Sequence, residues 1–93
     1  MGSTRKGRDI DASLRKKGFS RDVSGDHVYY YFGGTRVKTK MSHGMMSSSL
    51  SVELISDMAR QLRLTKRQFL DLIDCSLDEA GYRAILEKLG IIA

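Results

Sequence analysis

The stretch GDHVYYYFGGTRVKTKM, residues 25–41, decides the fold of this chain. Its first half is aromatic and β-branched, its second half alternates polar and apolar residues, and Gly33-Gly34 separates the two. A tight Gly-Gly loop between such runs is typical of a β-hairpin. Phe19 to Val23 reads as a preceding strand, with Ser24-Gly25 as its turn. The sequence therefore predicts a three-stranded antiparallel sheet.

The predicted hairpin register separates two faces, because successive strand residues point to opposite sides of a sheet. A two-residue loop at Gly33-Gly34 would place Phe32 opposite Thr35. One face then pairs an aromatic or imidazole ring with a cation three times: Tyr31 with Arg36, Tyr29 with Lys38, and His27 with Lys40. The other face is the predicted core face, made of Val28, Tyr30, Phe32, Thr35, Val37 and Thr39.

Helices are predicted on both sides of this hairpin. Residues 1–8 form a polar, basic leader that we expect to be flexible. Asp9 can cap a short helix whose Lys16 and Lys17 precede a left-handed stop at Gly18. After a serine linker at Ser47 to Ser49, apolar residues recur at helical spacing in the second half of the chain: Leu50, Leu54, Ile55, Met58, Ala59 and Leu62.

Two further short helices are indicated near the C-terminus. Thr65 with Gln68, and Ser76 with Glu79, each match the capping-box pattern that opens a helix. Helices on one face of a three-stranded antiparallel sheet make an α+β fold. We expect one domain over residues 9–93, with a core over 9–64 and a helical extension over 65–93.

Composition limits the class of protein. The chain has 93 residues, of which 41% are hydrophobic and 29% charged, as in globular domains. No apolar run is long enough to span a bilayer, and no signal segment opens the chain, so we expect no membrane partner. The single cysteine, Cys75, favours a reducing cytoplasm and is expected to be a small buried residue. His43 with Cys75 is too sparse for zinc, and no metal or other cofactor is expected.

Positive charge is concentrated in the first half of the chain. Residues 1–44 contain ten Lys or Arg against four Asp or Glu, a net charge of +6, whereas residues 45–93 contain six against seven, a net charge of −1. Cations bind phosphates, and exposed aromatics stack on unpaired bases. The predicted RNA-binding residues are Arg36, Lys38, Lys40, Tyr29, Tyr31, Lys16 and Lys17. His27, beside Lys40, is the predicted proton-transfer residue.

Several motifs together resemble the HicA toxin family. A lysine-rich helix ends in Gly18-Phe19, Gly25-Asp26-His27 opens an aromatic strand, and TKMSHG, residues 39–44, closes the third strand. Members of that family carry a Gly-Ser-His motif before the second strand and a further histidine after the third. The stretch DMARQLRL, residues 57–64, is similar to the family's closing helix.

This resemblance implies a fold like that of a double-stranded-RNA-binding domain and a metal-independent mRNA endoribonuclease. It also implies a HicB-like antitoxin as partner, RNA as substrate, and no small-molecule ligand. His27 matches the catalytic histidine, Gly25 the glycine of the motif and His43 the second histidine. Gly25, Asp26 and His43 are the expected accessory residues. The sequence departs from the family pattern where Asp26 replaces a serine, where Met41 replaces a proline, and where the chain continues beyond the closing helix.

Two other functions are compatible with the same residues. The sheet face and the basic helix can bind structured RNA without cutting it. A helix-turn-helix over Thr65 to Leu89 would bind DNA, but its second helix would begin with Asp78 and Glu79, which repel phosphates.

Overall fold

A computed structural model of the chain describes residues 4–92. Within this range the chain forms four α-helices, namely α1 (Gly7–Lys16), α2 (Val52–Gln61), α3 (Lys66–Ile73) and α4 (Glu79–Lys88). Its strands are β1 (Arg5–Lys6), β2 (Phe19–Ser24), β3 (His27–Phe32), β4 (Lys38–Ser42) and β5 (Ser49–Leu50). A 3₁₀-helical segment, His43–Ser47, joins β4 to β5. None of these helices has the length and apolar character needed to cross a membrane.

The main sheet is antiparallel with strand order β2-β3-β4, and this confirms the predicted α+β class. Its predicted register is wrong by two residues. The turn holds four residues rather than two, because the Phe32 amide donates to the Val37 carbonyl at 3.0 Å. Thr35 closes the turn: its hydroxyl donates to the Phe32 carbonyl at 2.8 Å and accepts from the Val37 amide at 3.0 Å. Arg36 therefore lies in the exposed loop, not in the strand.

The shift is even, so the two faces keep their predicted identity. Tyr31 now pairs with Lys38, Tyr29 with Lys40, and His27 with Ser42. The side chains that alternate with these are buried against the helices: Val28, Tyr30, Phe32, Thr39 and Met41, each at most 2% exposed. The helices thus cover one face of the sheet and leave the other to solvent.

Helix α1 is attached to the covered face by a buried polar contact. The Tyr30 hydroxyl donates to the Asp11 carboxylate at 2.6 Å, and Arg15 and Arg21 each donate to the same carboxylate at 3.2 Å. Burial alone would raise the pKa of Asp11, but these three donors favour the ionised form and lower it. Burial and the hydrogen bond to Asp11 raise the pKa of Tyr30. Near neutral pH, Asp11 is therefore ionised and Tyr30 keeps its proton.

The N-terminal residues depart from the predicted leader, part of which, residues 1–3, lies outside the described residues. Arg5 and Lys6 form β1, which pairs with β5, and α1 already begins at Gly7 rather than after Asp9. Arg5 also donates twice to Asp74, at 2.9 and 2.6 Å, and so connects this strand to the end of α3. Gly18 ends α1 with a φ of 92°, as predicted.

The C-terminal helices pack on the same core as the sheet. Tyr82 of α4 lies 5.6 Å from the Phe19 ring and 4.9 Å from the Phe32 ring, and its hydroxyl donates to the Leu62 carbonyl at 2.8 Å. The capping box predicted at Thr65 and Gln68 is confirmed, with both reciprocal hydrogen bonds formed. The one predicted at Ser76 is wrong.

Helix α4 instead begins after Asp78, whose carboxylate accepts from the Gly81 amide at 2.8 Å. An Asp side chain accepts such a bond as well as a serine hydroxyl does, and Asp78 stands two residues closer to α4 than Ser76.

Candidate functional site

The solvent-facing side of the main sheet carries His27, Tyr29 and Tyr31 of β3 with Lys38 and Lys40 of β4, and this part is here called the open face. On the other side of β3, the exposed Ser20 and Asp22 of β2 pair with Tyr31 and Tyr29. The three rings are half-buried and follow one another along β3, with centroids 6.1 Å and then 6.3 Å apart. Both lysines are exposed, and the Lys38 ammonium lies 6.0 Å from the Tyr31 ring centroid. The face therefore combines a strip of rings with a row of cations.

A cleft of about 200 Å³ opens at one end of the open face, between β4 and α2. His27, Lys40 and Ser42 line it from the sheet, and Asp57 and Gln61 line it from α2. Its remaining lining is apolar and consists of Met41, Met45, Leu50, Leu54 and Met58. A second hollow shares Lys40 and Gln61 with this cleft and extends along β4 toward Tyr29 and Lys38. The second hollow continues the first along the β4 edge, and the first hollow is here called the β4–α2 cleft.

The turn before His27 is held by the chain that follows β4. Gly25 adopts a φ of 59°, a conformation that glycine enters without steric cost. The His43 amide donates to the Asp26 carbonyl at 3.3 Å. His43 Nε2 lies 3.2 Å from the Gly25 carbonyl oxygen, which only accepts, so this bond requires a proton on Nε2. His43 thus contacts the backbone that positions His27, while its own side chain is exposed.

The predicted binding residues do not all lie on one surface. His27, Tyr29, Tyr31, Lys38 and Lys40 share the open face. Arg36 is exposed in the loop beyond Phe32, and Lys16 is exposed on α1, which packs on the opposite face of the sheet.

Lys17 is a correction to the predicted binding surface. It is 5% exposed, and its ammonium donates to the Leu72 carbonyl at 2.6 Å and to the Cys75 sulfur at 3.5 Å. Because its ammonium is bound inside the fold, Lys17 cannot contact a phosphate. Cys75 is also a correction, because it is exposed rather than buried and has a φ of 68°.

Asp57, Gln61 and Ser42 were missed as site residues. Asp57 and Gln61 stand four residues apart on α2, which places them one turn apart on the same flank of the helix. Their spacing was the only signal in the sequence, and it does not reveal which flank faces β4. Ser42 was missed because the predicted register placed Lys40, not Ser42, opposite His27.

Electrostatically, the cleft has one anionic and one cationic wall. Lys40 stands on the sheet side and Asp57 on the helix side. Within residues 4–92, no group of three or more His, Cys, Asp or Glu side chains is arranged to hold a metal ion. The residues present can stack a base, attract a phosphate and exchange a proton.

Comparison of the chain with protein-family models, with curated proteins and with solved structures finds no match in any of the three.

Proposed function

We propose that the protein binds RNA on its open face and cleaves it at the β4–α2 cleft, as a HicA-like mRNA endoribonuclease that needs no metal. The observation that carries this proposal is that His27 and Lys40 line one cleft at the end of an aromatic and cationic face. In this proposal the enzyme acts in the cytoplasm as a toxin, and a HicB-like antitoxin holds it inactive.

The order of the elements supports the comparison with a double-stranded-RNA-binding domain. Helix α1, the strands β2, β3 and β4, and helix α2 follow one another along the chain, with both helices on the covered face. In this proposal the short strands β1 and β5 and the helices α3 and α4 are additions to that core.

The open face suits an unpaired strand of RNA. Tyr29 and Tyr31 offer stacking surfaces, which contribute about 1–3 kcal/mol per base in proteins of this kind. Lys38 and Lys40 stand opposite Tyr31 and Tyr29 on the neighbouring strand and can contact successive phosphates. A strand lying along β4 from Lys38 toward Ser42 would bring a phosphate to Lys40 and His27 together.

The proposed reaction is an attack of a ribose 2′-oxygen on the adjacent phosphorus. The O2′–P bond forms as the P–O5′ bond breaks, the 2′-hydroxyl loses its proton and the leaving 5′-oxygen gains one. His27 is the proton-transfer group, because an imidazole titrates nearest to neutral pH. Lys40 stabilises the charge that develops on the phosphate oxygens. The products carry a 2′,3′-cyclic phosphate and a 5′-hydroxyl.

The test uses 5′-labelled RNA incubated with the full-length protein in EDTA. We expect shortened fragments with cyclic-phosphate ends, and no cleavage of a DNA strand of the same sequence, which lacks the 2′-hydroxyl. Cleavage that stops in EDTA would contradict the metal-independent reaction. Binding without cleavage of any RNA would favour a non-catalytic RNA-binding module, and absence of binding would contradict both functions.

A further inference from the structure

The β4–α2 cleft has a floor that suits a flat, apolar ring. Met41, Leu50 and Met58 are at most 3% exposed, and Leu54 and Met45 are partly buried beside them. Pockets for whole cofactors and drug-sized ligands occupy about 300–1,000 Å³. At about 200 Å³, this cleft matches a smaller group. A single nucleobase has the required size, flatness and apolar faces.

The amide of Gln61 is held in one orientation at the rim of the cleft. The buried Thr39 hydroxyl donates to Gln61 Oε1 at 2.6 Å. Because the carbonyl oxygen is used in this bond, Nε2 with its two N–H groups is left to act toward a ligand. Gln61 therefore supplies the cleft with a hydrogen-bond donor.

The carboxylate of Asp57 is the matching acceptor. Its Oδ1 accepts from the Arg60 Nη2 at 2.8 Å, and its Oδ2 has no partner among residues 4–92. Ion pairing with Arg60 leaves lone pairs on both oxygens for further donors. Asp57 and Gln61, one helical turn apart, thus present an acceptor and a donor side by side above an apolar floor.

We propose that the β4–α2 cleft binds an unpaired guanine base of the RNA, an inference that rests on the proposed function. Guanine presents two adjacent donors, N1–H and N2–H, to a carboxylate and one acceptor, O6, to an amide. Adenine would place its unprotonated N1 against Asp57, and uracil offers a single N–H. Single-stranded RNA is read in this way, by stacking and by hydrogen bonds to the Watson–Crick edge. Lys40 and His27, which line the same cleft, would then contact the phosphate of that nucleotide.

The test is equilibrium binding of the full-length protein to 2′-fluoro oligouridine strands, which lack the attacking hydroxyl and stay intact. The strands carry one central guanosine, inosine or adenosine. A good bidentate contact to a base discriminates by about 5- to 150-fold. We expect guanosine to bind at least about fivefold more tightly than adenosine. Inosine, which lacks the N2 amino group, should fall between the two.

Two variants test whether Asp57 and Gln61 produce the preference for guanosine. Asp57→Asn and Gln61→Glu should each bring the guanosine-to-adenosine ratio close to one. Gln61→Glu keeps an acceptor for the Thr39 hydroxyl, removes the donor and places a second carboxylate beside Asp57, which repels guanine O6. The control is Glu53→Gln, an exposed residue of α2 outside the cleft, with the same change of charge as Asp57→Asn. It should leave the ratio unchanged even if overall affinity rises.

The outcomes separate this inference from the function on which it rests. Tight binding of all three strands with equal affinity would overturn the guanine pocket and leave RNA binding intact. A guanosine preference that persists in both cleft variants would overturn the assignment to Asp57 and Gln61. Failure of every strand to bind would overturn the proposed function and the pocket together.

Discussion

The two faces of the main sheet use the same residue for different purposes. Tyr30 and Tyr31 are neighbours in β3, yet Tyr30 is fully buried with its hydroxyl on Asp11, and Tyr31 lies half-buried in solvent beside Lys38. Strand alternation alone produces this difference. Packing and buried hydrogen bonds concentrate on the covered face, whereas the open face presents a row of half-buried rings with Lys38 and Lys40 beside them. Stability and function should therefore respond to separate sets of substitutions.

The largest effect should come from removing α3 and α4, which complete the core on the covered face. Deletion of residues 65–93 removes Phe69, Leu72, Ile73, Tyr82 and Leu86 from the core and exposes the rings of Phe19 and Phe32. Each of these lost apolar side chains is worth about 1.5–3 kcal/mol of burial, against a typical total stability of about 5–15 kcal/mol. We expect the truncated chain to lose cooperative thermal unfolding, measured by circular dichroism. An unchanged melting temperature would contradict the role assigned to α3 and α4.

The same substitution on neighbouring residues compares the faces directly. Tyr30→Ala should lower the free energy of unfolding by about 3–5 kcal/mol, because it leaves a cavity and removes a donor from Asp11. Tyr31→Ala should lower it by less than about 1 kcal/mol. Urea denaturation measures both. Comparable losses at the two positions would show that the open face is also part of the stabilising core.

Phosphate contacts should be visible in the salt dependence of binding. Replacing both Lys38 and Lys40 by Gln should reduce the slope of log affinity against log salt by about 1.4, since each contact with single-stranded nucleic acid contributes about 0.7. The matched control replaces Lys66 and Arg67, two exposed cations of α3, by Gln. Fluorescence anisotropy at several salt concentrations gives the slopes. An equal reduction in the control would mean that binding is not specific to the open face.

The smallest effect should come from Asp11, whose carboxylate joins α1 to the covered face. The pKa of Asp11 is lower in the folded state, so its ionised form stabilises the fold above its unfolded pKa of about 3.9. That stabilisation is lost as the pH falls through the folded value. Asp11→Asn should therefore lower stability at pH 7 and flatten its dependence on pH in the acid range. Asp9→Asn, an exposed control on the same helix, should leave the acid dependence steep.

The fold was predictable where local chemistry decides it. The hairpin, the Gly18 stop and the Thr65 capping box depend on residues close in sequence. The register of β3 with β4 was not predictable, because it depends on whether the Thr35 side chain closes the turn. The Gly-Gly pair does not reveal whether it does. The face assignment is the same as predicted because the four-residue loop shifts the register by an even number.

The parts of the site that could not be predicted depend on contacts between distant residues. Lys17 looks like its exposed neighbour Lys16 in the sequence, but its ammonium reaches the Leu72 carbonyl 55 residues away. Asp57 and Gln61 look like ordinary polar residues of an amphipathic helix until β4 is placed beside them. Periodicity predicts which side of a helix is buried, and it does not predict which strand edge its polar flank will meet.

The most direct test of the central claim is a comparison of wild-type protein with His27→Ala, with cleavage rate and RNA affinity measured on the same RNA in EDTA. General acid–base catalysis contributes about 10²–10⁴-fold, so the variant should cut at least about 100-fold more slowly. Its RNA affinity should change little, because the proposal assigns the phosphate and stacking contacts to Lys38, Lys40, Tyr29 and Tyr31. A His27→Ala protein that cleaves at the wild-type rate would contradict the assignment of the chemistry to His27 in the β4–α2 cleft.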